Sequence, residues 1–148
     1  MKDFKTILFA TDFSECSDYA FEYALSMARK CDARLLIVHV ISEPVDLRGF
    51  YVPHISFDKL EEEIEAGARK MMDKFCSTHL RDFTNYEVLI APGIPYDEII
   101  KKASEKGADL IVLGTHGRTG LDHVLFGSTA EKVVRKSTLP VLTVRVGE

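Results

Sequence analysis

Asp109-Leu-Ile-Val-Leu-Gly114-Thr-His-Gly117-Arg-Thr-Gly120-Leu-Asp-His-Val-Leu-Phe-Gly127-Ser128-Thr129 is the stretch on which the fold turns. It opens on a continuous apolar run, 110–113, of the kind that forms a strand covered on both faces. The run passes at once into glycine, and Gly127-Ser128-Thr129 then leads into a segment with helical spacing. A strand that feeds a helix through such a connection is half of a βαβ unit.

The same stretch carries the chemistry. Four glycines fall within residues 114–127, where a structural turn needs only one or two. Gly114 and Gly117 are expected to let backbone approach a ligand with no β-carbon in the way and to permit positive φ. Gly127, Ser128 and Thr129 are expected to open the last helix, bringing together free main-chain N–H groups, two hydroxyls and the positive end of the helix dipole. Such a terminus attracts an anion, and a phosphate above all. Ser128 and Glu131 also spell Ser-x-x-Glu, a capping box that would account for the serine without any ligand. Both readings can hold at once. The spacing fits neither Gly-x-x-x-x-Gly-Lys-Ser/Thr nor Gly-x-Gly-x-x-Gly, so a third kind of phosphate cradle is implied.

Working outward, four more β-branched-rich runs read as strands: Lys5 to Ala10, Arg34 to Ile41, Tyr86 to Ala91 and Pro140 to Val144. Between them the spacing predicts helices over about 14–30, 57–80, 95–106 and 128–136. In the second of these Phe57, Leu60, Ile64, Ala68, Met71 and Phe75 recur at steps of three and four. Pro95 suits a first helical turn and Gly107 a C-terminal stop. Strands alternating with helices predict one α/β domain spanning 1–148, a doubly wound five-stranded parallel sheet with helices on both faces. Flavodoxin-like and Rossmann-like strand orders are both open at this stage. The order 3-2-1-4-5 is expected, because it sets strands one and four side by side where the winding reverses. Ligands bind beyond the carboxyl ends of the strands at that point. The segments after Ala10 and after Leu113 should therefore face one crevice. The first of them reads Ala10-Thr11-Asp12-Phe13-Ser14, where Asp12 can bond a ribose or face a divalent ion beside phosphates. Alternatively, Asp12 caps the first helix through Asp-x-x-Glu with Glu15.

Composition bounds the function. At 46% hydrophobic and 28% charged residues the chain is ordinarily globular. A net charge of -4 gives no long-range pull on a polyanion, so nucleic acid is not an expected partner. No apolar run approaches the roughly 20 residues that span a bilayer, and the first residues lack a signal pattern. The chain is expected to act in the cytoplasm, away from membranes. Cys16, Cys31 and Cys76 fit neither a disulfide framework nor a zinc set, and read as structural thiols. Residues 42–56 are long for a connection, and Phe50, Tyr51 and Ile55 within them would cover a ligand, meet an unidentified protein partner, or pack on their own domain edge.

No nucleophile and base form a recognisable constellation among His116, Arg118, Asp122, His123 and Asp12, so binding is expected rather than catalysis. A phosphoreceiver domain shares the strand count, but needs a carboxylate at the end of strand three. That position reads Leu89-Ile90-Ala91-Pro92-Gly93, and the reading fails.

Gly114-x2-Gly117-x9-Gly127-Ser128, together with Thr11-Asp12-x-Ser14 and the Leu-Pro-Val of 139–141, resembles the universal stress protein family in its ATP-binding branch. The resemblance runs the length of the chain. It implies ATP, or AMP or ADP, with adenine read by main chain near Val40 and with base and ribose near Ala10, Thr11 and Asp12. The phosphates would lie on Gly114, Thr115, Gly117, Gly127, Ser128 and Thr129, with His116 and Arg118 beside them, and a magnesium or manganese ion would use Asp12. Family members often carry proline where this chain has Ala10; a main-chain carbonyl there survives the change. The resemblance also implies a homodimer through the last strand, for which Val141, Leu142, Val144 and Val146 offer an apolar edge. A nucleotide-dependent regulator of stress survival is the function expected, and slow ATP hydrolysis or a stress-protein dimer that needs no nucleotide are the other readings.

Overall fold

The computed structural model describes residues 2–42, 57–116 and 126–147. Gly117, Arg118, Gly120, Asp122 and His123 lie outside the described residues, as do Phe50, Tyr51 and Ile55. In chain order the elements are β1 (Thr6–Ala10), α1 (Glu15–Cys31), β2 (Arg34–Ser42), α2 (Phe57–His79), β3 (Tyr86–Gly93), α3 (Pro95–Glu105), β4 (Leu110–Gly114), α4 (Ser128–Lys136) and β5 (Val141–Val144). The five strands form one parallel sheet in the order β3-β2-β1-β4-β5, as expected. The chain therefore winds outward from β1 in one direction and, after β3, from β4 in the other.

Alternate residues of each strand feed two separate cores. Ile7, Phe9, Leu35, Ile37 and Val112 point toward α1 and α2, where they meet Phe21, Met72 and Phe75. Leu8, Leu36, Val38 and Ile111 point the other way, onto Ile99 and Ala103 of α3 and Ala130 and Val133 of α4. Burial on both faces explains the unbroken apolar runs, since each such side chain contributes about 1.5–3 kcal/mol by leaving water. The first core is aromatic. Phe21 stands edge-on to Phe9 at 5.1 Å and to Phe75 at 5.0 Å between ring centroids, a favoured geometry for such pairs.

The helix ends follow from their residues. Ser14 caps α1, its hydroxyl accepting the Ser17 N–H at 3.2 Å; Asp12 instead accepts the Ser14 N–H at 3.0 Å. The expected Asp12-to-Glu15 cap is thus replaced by a cap two residues later. Ser14→Ala should cost about 1 kcal/mol, seen as a lower urea midpoint with an unchanged slope. At the far end of α3, Gly107 takes φ 66°; its N–H bonds Ser104 and that of Ala108 bonds Ala103, a Schellman closure that needs the glycine. In α2 the core stripe is Ala68, Met72 and Phe75. Ala68 and Phe75 stand in the stripe where the spacing placed them, but Met71 is 42% exposed and Met72 is buried in its place.

One expectation about the surface changes. Cys31 is exposed, while Cys16 and Cys76 are partly buried, so the three thiols are not uniformly structural. On β5, an edge of the sheet, Leu142 and Val141 pack on the first and second cores, and Val144 is buried. Val146 is 47% exposed. No described helix is long and apolar enough to cross a membrane.

Candidate functional site

Because β1 and β4 are neighbours whose following segments leave in opposite directions, their carboxyl ends part and open a crevice. A cavity of about 750 Å³ occupies it, within the range of small-molecule sites. Ala10, Thr11, Asp12 and Val40 line it from β1 and β2, and Gly114, Thr115 and His116 from β4. Gly127, Ser128 and Thr129 complete it at the start of α4. The crevice thus gathers every described residue that the sequence singled out for a ligand.

The α4 wall is built for an anion. Gly127 is the helix N-cap, in extended conformation with no side-chain cap bond, and the first intrahelical bond runs from Glu131 N–H to the Gly127 carbonyl. The amides of Ser128, Thr129 and Ala130 precede it and have no intrahelical acceptor. The capping box expected of Ser128 and Glu131 does not form: Ser128 already sits inside the first turn, and the Glu131 carboxylate pairs with Arg135 at 2.9 Å. Ser128 and Thr129 both line the cavity. The Gly127 N–H also donates to the Thr115 carbonyl at 2.6 Å. That bond pins the end of β4 to the start of α4.

Gly114 has a packing task that the sequence did not show, and it does not use the positive φ expected of it. A β-carbon there would stand 2.9 Å from Cys16 Sγ and 3.2 Å from the Cys16 carbonyl oxygen. The missing side chain makes room for the first turn of α1. Close packing of a helix on a strand end is enough to require glycine at this position, which also lines the cavity.

The opposite wall is the turn after β1. Thr11 is buried; its N–H donates to the Val38 carbonyl at 2.9 Å, and its hydroxyl accepts from Ser17 Oγ at 2.7 Å and from Phe13 N–H at 3.0 Å. Acidic groups gather here. Burial pushes the Asp18 carboxyl above its ordinary pKa, His79 opposes this, and Asp12 and Glu15 add to it. The protonated form thus favours the fold: this contribution is fully present below the unfolded-state pKa and is lost as pH rises through the higher folded value. Asp18→Asn should leave stability at neutral pH no lower than in the native chain and flatten its dependence across the carboxylate range, measured as thermal midpoints against pH. Among the described residues no three His, Cys, Asp or Glu side chains come together as a metal cage. A cation at Asp12 would have to share its coordination with ligand phosphates.

Sequence reasoning missed part of the lining. Ile64, Ala68 and Met71 of α2 form an apolar wall, and His39 and Ser17 reach the cavity from β2 and α1. His39 lies near the carboxyl end of β2, so the rule that ligands bind beyond the carboxyl ends of the strands is the signal that could have found it. The α2 wall is invisible to periodicity alone, which registers an apolar stripe whether it meets core or cavity.

Comparison with known proteins agrees with this geometry. The chain matches the universal stress protein family over residues 3–145. Universal stress protein YxiE of Bacillus subtilis is 35% identical over 147 residues, covering 96% of this chain and 99% of that protein. The solved structure of protein MJ0577, a universal stress protein of Methanocaldococcus jannaschii, superposes with a TM-score of 0.85 at 30% identity, covering 99% of both chains. A universal stress protein crystallised in complex with cAMP superposes with a TM-score of 0.66 at 27% identity, covering 97% of this chain and 98% of that one. Likeness in sequence, strand order and length runs from one end to the other, and the chain belongs to the universal stress protein family.

Proposed function

We propose that this chain binds an adenine nucleotide, ATP in the first place, and acts as a nucleotide-dependent switch in a stress response. One observation carries the reading: Gly127, Ser128 and Thr129, which open α4 ahead of its first intrahelical bond, and the turn after β1 that carries Asp12 line one cavity of about 750 Å³. The two walls have opposite polarity, which orients a ligand negative at one end and rich in hydroxyls and donors at the other. Phosphates belong at Gly127, Ser128 and Thr129, where N–H dipoles add. Ribose hydroxyls belong near Asp12, with the base between the main chain at Ala10 and Val40 and the apolar α2 wall. A relative of this fold crystallised with cAMP supports the adenine class. Gly117 and Arg118 belong to the same reading, as donors to the phosphates.

When magnesium or manganese accompanies the nucleotide, it neutralises phosphate charge; Asp12 is the side chain placed to hold it. Binding orders the segments around the cavity, and a shift between conformations is what a protein partner, or a second copy paired along β5, would sense.

The test starts from protein purified under native conditions. Denaturation should release an adenine nucleotide identified by chromatography; if none co-purifies, calorimetry with ATP and magnesium should give saturable binding. An absence of binding in both sinks the proposal. Timed ADP production that follows the protein through successive columns would move the reading to a slow hydrolase.

A further inference from the structure

We infer that His39 and Phe13 are positioning residues for the nucleotide site, which hold the turn after β1 so that Asp12 faces the cavity. The inference rests on the nucleotide reading above and adds His39, which lies outside both motifs, and Phe13, the unspecified position of the Thr-Asp-x-Ser segment. Its starting point is backbone geometry. Phe13 has φ 65°, the left-handed region, which a bulky side chain rarely occupies and which persists only where the surroundings over-determine it.

The surroundings do so from both sides of Asp12. On the side of Thr11, His39 Nδ1 lies 2.8 Å from the Thr11 carbonyl oxygen. A carbonyl only accepts, so Nδ1 carries the proton and donates. The Thr11 N–H is meanwhile bonded to Val38, which ties both main-chain groups of Thr11 to β2. On the side of Phe13, the N–H is held by the Thr11 hydroxyl at 3.0 Å. The Phe13 ring lies tilted against the His39 imidazole, 4.4 Å between centroids, and 6.3 Å from Phe75 of α2.

His39 therefore touches the residue before Asp12 by a hydrogen bond and the residue after it by ring contact. One side chain clamps both neighbours of the proposed ribose ligand. The strained φ is the consequence of turning the chain sharply enough to aim Asp12 into the crevice while its main chain stays on β2. Without the clamp, Phe13 would relax toward ordinary φ and carry Asp12 with it.

The experiment measures ATP affinity by calorimetry, well below the melting temperature of every variant, so that loss of fold and loss of placement are separated. His39→Phe keeps a ring against Phe13 and removes the donor; His39→Asn keeps a donor near the place of Nδ1 and removes the ring. Phe13→Gly allows the left-handed φ without strain and removes the ring contact, and decides the matter should His39→Phe not fold. The expected results are about tenfold weaker binding for His39→Phe and for Phe13→Gly, a cost of the size that one lost buried hydrogen bond or packing contact brings, with substantial recovery in His39→Asn. In an Asp12→Ala background His39→Phe should cause no further loss, because the clamp acts only through Asp12. Native affinity in both His39→Phe and Phe13→Gly, or a His39→Phe loss that adds in full to that of Asp12→Ala, overturns the inference and leaves the nucleotide reading standing. Wild-type protein that binds no nucleotide overturns both.

Discussion

Replacing Gly114 with valine should lower stability by about 3 kcal/mol and the melting temperature by about 10 °C, before any question of ligand arises. The reason lies under the strand. A β-carbon at position 114 would meet Cys16 Sγ at 2.9 Å and the Cys16 carbonyl oxygen at 3.2 Å, and valine adds two methyl groups to that contact. The sulfur can swing aside, but the carbonyl belongs to the first turn of α1. Relief would therefore require the helix to move off β4. Gly114→Ala with Cys16→Ala makes the mechanism testable, since removing the sulfur should recover part but not all of the loss from Gly114→Ala alone. A native melting temperature for Gly114→Val would disprove the packing account. The same geometry makes Gly114 a poor place to probe binding, because its substitution changes the scaffold first.

Ser128→Asp is the cleaner probe, since it should move affinity and stability in opposite directions. Ser128 is the first residue of α4 and lines the cavity. A carboxylate in a first turn interacts well with the helix dipole, about 0.3–1 kcal/mol in favour of the fold. A phosphate seated on the same amides would meet that carboxylate as a like charge at close range, where unit charges repel by several kcal/mol at the effective dielectric of a protein surface. ATP binding should weaken at least about a hundredfold, corresponding to about 2.7 kcal/mol, while the thermal midpoint stays level or rises. Ser128→Ala, which deletes a hydroxyl without adding charge, should weaken binding only severalfold. Equal ATP affinity in Ser128→Asp and the native chain would remove phosphates from this end of the cavity.

Much of the architecture was legible in one dimension. Runs such as Ile7-Leu8-Phe9 and Leu110-Ile111-Val112-Leu113 could only be strands covered twice, and the structure buries them on both faces. Of the strand orders left open, the one favoured because it sets strands one and four together at the reversal of winding is the order observed. Helix α4 begins at Ser128, where glycine and two hydroxyl residues announced it. The cap was less legible. Ser-x-x-Glu is a sound local pattern, yet Gly127 takes the cap position and Glu131 turns to Arg135, because the bond from Gly127 to Thr115 fixes the chain's entry angle. In α2, Met71 and Met72 are adjacent and chemically identical, and only docking against Phe9 and Phe21 decided that Met72 enters the core.

Local preference and the need to bury apolar surface act within a few residues of one another, and so the elements, their order and the crevice beyond β1 and β4 could be read from the chain alone. Assigning tasks to residues needed the folded molecule. Cys16 beneath Gly114 and His39 against Thr11 join segments that meet only when β1 has taken its register between β2 and β4. A glycine of a ligand motif can then also prove to admit a helix, and a histidine with no motif around it can hold the turn on which the site depends.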